Sequence, residues 1–399
     1  CCQQRGQNRS STHGCSPNII LAALYRSVMP TIGYRLLAAL VALLLLAAAG
    51  EPPAALRRGV NVTHWFRFPP SRDPAALRAY LSDAALAELK DVGFTFVRIP
   101  VQPDLLAAPG ALLDALARVE RHGLAAVVAL FAGDWHLETD PADQAKLIAT
   151  WRMLAPLLRR FDPAMTFPEV LNEPVFANDP GAWAGLQHRV TLAIRAALPT
   201  STIVLSGPDW GGITGLLSLP PEPDRNVIYS FHLYEPAELT ALGAYRPGLD
   251  AASMARLPFP VADQAACRST AGAVRDLPTA ELMGFYCAQR WDEAKVAARI
   301  AEAASWARRH HVVVFAGEFG ASQRLNPPAR MAWLTTVRQA CERQSLGWSL
   351  WGYDDSMGFA LHPPNDRRQI DPAMLDALGL TSSSNREALS RRPPITVAP

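Results

Sequence analysis

Short apolar runs recur along the chain, separated by segments whose apolar positions follow a helical period. Leu124 to Phe131 is the plainest run: it has no polar alternation, as a strand buried on both faces requires. The same reading predicts strands at Arg58 to Val62, Phe94 to Pro100, Thr166 to Leu171, Thr202 to Ser206, Asn226 to His232, His311 to Ala316 and Leu346 to Leu350. Between them, Gly110 to His122 carries Leu112, Leu113, Leu116 and Val119 on one face and stops at Gly123. Helices are likewise predicted at Asp83 to Asp91 (ended by Gly93), Pro141 to Arg160, Gly181 to Leu198, Trp291 to His310 and Pro328 to Gln344, with a last one at Pro372 to Leu378 capped by Asp371. Strand and helix alternate eight times over residues 57–378, which predicts an α/β fold, a (β/α)8 TIM barrel. A doubly wound open sheet would want a Gly-rich phosphate turn after the first strand, and GVNVTHWF does not supply one. The rhythm breaks at Glu235 to Arg290, read as an enlarged loop after strand six with some helix inside.

The ends of the chain have a different pattern. Arg35, the apolar stretch 36–49 and Gly50-Glu51-Pro52-Pro53 form the sequence of a secretory signal peptide, too short for a comfortable membrane span. Met29 stands where such a signal would start. Residues 1–28 are therefore read as an upstream extension that does not fold, 29–50 as a signal and 379–399 as a disordered tail. The expectation is a secreted or periplasmic protein with no membrane partner after cleavage. Beyond the signal lie Cys267, Cys287 and Cys341. Cys267 and Cys287 share the irregular stretch and are candidates for a disulfide, while Cys341 sits in a helical pattern as a small apolar residue.

Composition narrows the partners. The chain has 399 residues, 49% apolar and 19% charged, with a formal net charge of +2. That balance does not favour nucleic acid. No Cys/His spacing resembles a zinc site, so neither metal nor cofactor is expected, and a monomer is. No G-x-S-x-G elbow occurs near a strand end, which disfavours a serine hydrolase.

The candidate chemistry sits at the C-terminal ends of the predicted strands, which in a parallel barrel all open on one face. Arg98 lies in Val97-Arg98-Ile99-Pro100 on strand two, Asn172 and Glu173 close strand four, His232 and Tyr234 strand six, Glu318 strand seven and Trp351 strand eight. His64 and Trp65 follow strand one, Asp134, Trp135 and His136 strand three, and Asp209 and Trp210 strand five. Charged groups turned inward at strand ends must be paired or functional. Two carboxyl groups facing one cleft are the equipment of glycoside hydrolysis.

The motifs VLNEP (Asn172, Glu173, Pro174) and FAGEFG (Glu318), with VRIP, FHLY and GWSLWG in their places, resemble glycoside hydrolase family 5, the cellulase family of the retaining barrel glycosidases. The resemblance spans about residues 57–378. It implies a retaining hydrolase of β-linked oligo- or polysaccharide, with Glu173 as acid/base and Glu318 as nucleophile. It also implies that Arg98 and Tyr234 hold Glu318, Asn172 meets the sugar 2-hydroxyl, His232 tunes Glu173 and Trp351 floors the subsite. β-Glucan is the first expected substrate. A β-mannan or β-1,3-glucan, or a catalytically silent sugar-binding barrel, is the alternative. The chain departs from the family at strand three, where Val128-Ala129-Leu130-Phe131-Ala132-Gly133 lacks the His that usually reaches the site. Either His136 takes that part from a shifted loop, or Trp135 stacks instead; Trp65 is a further supporting candidate.

Overall fold

The computed structural model describes residues 52–355, 358–363 and 369–381. The expected upstream extension, the signal and the tail beyond Thr381 lie outside the described residues. Among those described, no helix is long and apolar enough to cross a membrane.

Eight parallel strands close in sequence order: β1 (Arg58–Asn61), β2 (Phe96–Val101), β3 (Ala125–Leu130), β4 (Thr166–Glu169), β5 (Ile203–Ser206), β6 (Val227–Leu233), β7 (Val313–Phe319) and β8 (Gly347–Trp351). The seam is the β1–β8 pairing, from Arg58 opposite Trp348 to Asn61 opposite Trp351. Each predicted strand is present, within a few residues of its predicted bounds. Helices Asp83–Val92, Gly110–Arg121, Pro141–Leu158, Pro180–Ala197, Glu293–His310 and Pro327–Arg343 pack outside. Their starts follow the local chemistry. Ser82, Asp140, Asp179, Asp292 and Asn326 each accept a backbone N–H of the first turn.

Side-chain alternation splits the apolar residues into two sets. Leu56, Phe96, Ala125, Val127, Phe167, Val204, Ile228 and Phe315 fill the barrel interior near its N-terminal end. Val97, Ile99, Ala126, Val128, Leu205 and Tyr229 alternate with them and pack outward against the helices. Gly59 is required by the inner set, because a Cβ there would lie 2.3 Å from the Phe96 ring. With the lower interior plugged, polar groups are admitted only in the upper half.

The excursion after β6 folds into short helices, among them Gln264–Gly272 and Leu277–Gln289, which a Cys267–Cys287 disulfide joins. Cys341 is free and buried. The excursion also braces the barrel mouth: Thr240 Oγ1 donates to the Tyr234 carbonyl at 2.5 Å, and Ser322 N donates to the Thr240 carbonyl at 2.8 Å. At the other end of the described chain, Leu380 is buried and Thr381 N donates to the Val92 carbonyl at 3.2 Å.

Candidate active site

Arg98 organises the upper half of the barrel. It is fully buried and held by a bidentate pair with Glu169 of β4, Nε to Oε2 at 2.7 Å and Nη2 to Oε1 at 2.6 Å. Its Nη1 donates to Glu318 Oε1 at 2.6 Å and to Asn61 Oδ1 at 2.9 Å, and its Nη2 to Asn172 Oδ1 at 2.9 Å. Burial works against this charge, but Glu169 and Glu318 outweigh it and raise the guanidinium above its ordinary value. Glu169 was missed in the sequence reading. Its signal was a carboxylate inside the apolar run Phe167 to Leu171, which demands a buried cation. Asn61 was missed as well; it donates to the Gly317 carbonyl at 3.0 Å and to Ser349 Oγ at 3.0 Å, tying β1 to β7 and β8.

Glu318 faces inward because β7 contains an irregularity. Strict alternation from Phe315, which points into the barrel, would send Glu318 outward. The β6–β7 register skips a residue, pairing Phe231 with Ala316 but His232 with Glu318. Gly317 is the extra residue of this bulge. A Cβ on it would fall 2.0 Å from Ser230 Oγ, so only glycine fits. Beyond the bulge the phase is reversed: Phe319 packs outside against Trp333 and Trp348 while Glu318 enters the site. Glu173 arrives differently. β4 ends at Glu169, Asn172 N donates to the Leu130 carbonyl at 2.7 Å, and Glu173 turns into the mouth at a φ of 45°. A positive φ is uncommon for a non-glycine residue.

The two carboxyl groups meet at His232. Its Nδ1 lies 3.0 Å from Glu173 Oε1 and 3.4 Å from Glu318 Oε2. One oxygen of each carboxyl and a His232 ring nitrogen lie within 4.8 Å of one another. These three groups could hold a divalent cation, but Arg98 and Tyr234 already donate to Glu318, and a guanidinium in contact disfavours a second cation. Tyr234 donates its hydroxyl to Glu318 Oε2 at 2.8 Å. Burial, then the Glu318 and Glu173 charges, push that phenol well above its ordinary value, so it remains a donor. Burial also raises the Glu318 carboxyl, against the pull of His232 and Arg98. Burial opposes ionisation of Glu173 too, yet the hydrogen bond and charge of His232 bring it below its ordinary value.

Of the other expected residues, Asn172 is in place, with Nδ2 3.5 Å from Glu173 Oε2. Trp351 is only 1% exposed; its indole donates to Asp355, and the Arg67 guanidinium covers its ring at 5.0 Å. The structure does not bring His136 or Trp65 to the carboxylates. His136 N donates to Asp143 Oδ2 at 2.7 Å at the start of the helix Pro141–Leu158, and His136 does not border the cavity that its neighbours Trp135 and Leu137 share with Glu173. Trp65 is completely buried and donates to the Leu77 carbonyl at 2.7 Å, packing with Phe66 and Tyr80 beneath the loop after β1. Trp135 and Trp210 do line the cleft. With Arg67, Phe131, Asn172 and Glu173 they border a cavity of about 230 Å³. It adjoins a larger one, about 790 Å³, bordered by Phe68, Phe131, Trp135 and Lys146. Trp210 is 61% exposed beside Glu173 and Phe68 is 45% exposed, so both offer open aromatic faces. Another cavity, about 330 Å³ and lined by Arg57, Glu342 and Trp348, opens at the opposite end of the barrel, far from the carboxylates.

Known proteins are similar to this chain in sequence and fold. Endoglucanase 3 of Fibrobacter succinogenes is 25% identical over 332 residues, covering 75% of this chain but 49% of that protein, so the chain spans about half of that relative's length. Two solved structures of Thermotoga maritima Cel5A superpose over 82% of this chain and 98% of theirs. The cellobiose complex does so with a TM-score of 0.65 at 21% identity, and the mannotriose complex with 0.63 at 22%. The family model "Cellulase (glycosyl hydrolase family 5)" matches residues 60–354, the stretch that runs from β1 through the Arg98 cluster and both glutamates to the end of β8. By that match the chain belongs to the cellulase family, glycosyl hydrolase family 5.

Proposed function

We propose that this protein is a retaining β-glycoside hydrolase in which Glu318 attacks the anomeric carbon and Glu173 protonates the leaving oxygen. The observation that carries the reading is the separation of the two carboxyl groups, whose nearest oxygens lie within 4.8 Å. Retaining enzymes need about 5–5.5 Å, whereas inverting ones leave room for a water at roughly 6.5–9.5 Å. In the first step the Glu318 carboxylate forms a bond to the sugar as the aglycone leaves with the Glu173 proton. In the second, Glu173 takes a proton from water, which displaces Glu318 and restores the starting configuration.

This assignment needs the shared proton on Glu173. Taken as separate groups, the two carboxyls would place it on Glu318, the one that burial raises. The fixed donors argue the other way. Glu318 accepts from Arg98, which never gives up its proton, and from Tyr234, whose hydroxyl is held protonated. Among the described residues Glu173 has reversible or weak hydrogen-bond partners, His232 Nδ1, which can accept from a carboxylic acid as readily as donate to a carboxylate, and Asn172 at 3.5 Å, while the Arg67 and Arg98 charges act on it without a direct bond. On these contacts we place the proton on Glu173, as the retaining mechanism requires.

The cellobiose and mannotriose found on the Thermotoga relative support a β-1,4-linked glucan as substrate, with β-mannan as the second reading. Both sugars share the equatorial linkage geometry, and open aromatic faces such as Trp210 do not distinguish them. Export belongs to the same proposal, supported by the apolar stretch 36–49 behind Arg35 and by a disulfide suited to an oxidising compartment. The test is the anomer first released from a cello-oligosaccharide, followed by NMR, with manno-oligosaccharides as a parallel series. Initial release of the β-anomer is expected, and Glu318→Gln should lower kcat on the order of 10⁴-fold. Initial α-anomer, or a fully active Glu318→Gln, would refute the mechanism.

A further inference from the structure

Arg67 has no part in the mechanism above, yet it lies at the heart of the cleft. It sits on the loop after β1 and borders the same cavity as Asn172 and Glu173. Its guanidinium lies over the ring of Phe131 at 3.8 Å, with the rings of Phe68 at 4.7 Å and Trp351 at 5.0 Å. Its Nε is buried and has no hydrogen-bond partner among the described residues. Aromatic rings surround this guanidinium, and they attract the charge but accept no strong hydrogen bond. Burial lowers its proton affinity, and the Glu318 and Glu173 charges offset only part of that. A donor fork in such a place is costly to the protein on its own. It becomes favourable when a ligand supplies acceptors.

We propose that Arg67 is a substrate-contacting specificity residue, donating hydrogen bonds to hydroxyl groups of the sugar held against Glu318 and Glu173. This inference rests on the glycosidase reading and names the part of that site which recognises the ring. Neutral hydroxyls are favoured over an anionic substituent by the surrounding charge. Glu169, Glu173, Glu318 and Asp355 face Arg98 and Arg67 across the same small volume, so an added anion would be repelled even with Glu173 protonated. Phe131 fixes the plane of the fork, and the planar guanidinium can then span two neighbouring hydroxyls, which a lysine ammonium cannot do.

The test pairs enzyme variants with altered substrates. Arg67→Met keeps apolar bulk on Phe131 but removes the donors, and Arg67→Lys keeps the charge but not the fork. Kinetics would be measured on aryl β-cellobioside and on analogues lacking one hydroxyl at a time from the ring that carries the aryl group. Arg67→Met should lower kcat/KM about 10- to 100-fold, with an unchanged melting temperature, and Arg67→Lys should recover only part of the loss. For at least one deoxy analogue the wild type should lose activity while Arg67→Met loses no more, because the bond is already gone. Wild-type activity in Arg67→Met, or equal losses in both enzymes for every deoxy analogue, would overturn the contact. A uronate-substituted chain that needs Arg67 more than the neutral one does would overturn the choice of hydroxyls. A wild-type enzyme that neither turns over nor binds any cello- or manno-oligosaccharide would remove the parent reading and this one together, an outcome distinct from all of these.

Discussion

Replacing Arg98 by leucine tests how the site is held together. The side chain is fully buried and touches Glu169, Glu318, Asn61 and Asn172. Leucine would leave two carboxyl groups without their cation in a place water does not reach. Breaking a buried pair by removing one partner costs about 3–5 kcal/mol. For a domain of roughly 320 residues, unfolding entropy near 2.1 cal/mol/K per residue converts that cost to a fall in melting temperature of about 4–7 °C. The cost also depends on pH. Without Arg98 the folded-state pKa of Glu318, already raised by burial, rises further. The part of the deficit that comes from Glu318 is then largest at neutral pH and shrinks as the solution is acidified and that carboxyl takes up a proton. Activity should shift in the matching direction. The reaction needs Glu318 ionised, and loss of the adjacent arginine raises its carboxyl further, so the acid limb of kcat/KM moves to higher pH. Melting curves and pH–rate profiles of wild type and Arg98→Leu, run across the same buffers, decide the matter. A variant that melts with wild type at neutral pH, or whose acid limb does not move, would refute the claim that Arg98 carries the charge balance of the cluster.

Three further substitutions probe separate parts of the site. Tyr234→Phe removes the hydroxyl that donates to Glu318 at 2.8 Å; kcat should fall about 10-fold or more with KM little changed, read by steady-state kinetics. Trp210→Ala removes a 61% exposed indole beside Glu173. KM for longer oligosaccharides should rise several-fold while an aryl glycoside is hardly affected, and equal effects on both would deny it a stacking role. Joint replacement of Cys267 and Cys287 by serine opens a loop of sequence separation 20, for about 3 kcal/mol of stability. Early melting or proteolysis should appear in the excursion after β6, with kcat preserved as long as Thr240 keeps its bond to Tyr234.

Much of this was legible in the order of residues. A strand buried on both faces shows as an unbroken apolar run, and a helix on its surface shows a period of 3.6, so the alternation from β1 to β8 and the outer helices could be read locally. The cap at Asp371 is likewise local, because a short side-chain oxygen reaches its own helix's first turn. The short helices Thr63–Phe66 and Pro74–Ala79 were not foreseen; each is too brief for a period to register.

The site divides along the same line. Glu173, Glu318, Asn172, His232 and Tyr234 could be nominated because each stands at or just past a strand end, and Arg98 because it is a charge within an apolar strand, and the barrel closes them onto one site. Their orientation could not be read. Period-two alternation points Glu318 away from the site, and only the bulge at Gly317, formed by pairing with β6, turns it inward. His136 and Trp65 have the right residue types in the right loops, but the loop after β3 runs on to Asp143 and the loop after β1 folds Trp65 under Leu77. Arg67 carried no signal at all, since its place beside Phe131 and Trp351 joins the ends of three strands far apart in the chain. Local pattern alone therefore determined the barrel, its strand order and the residue types at its mouth. Which of those side chains converge, at what distance and with what charge, was decided by barrel closure, because contacts between distant strands leave no trace in the periodicity of either one.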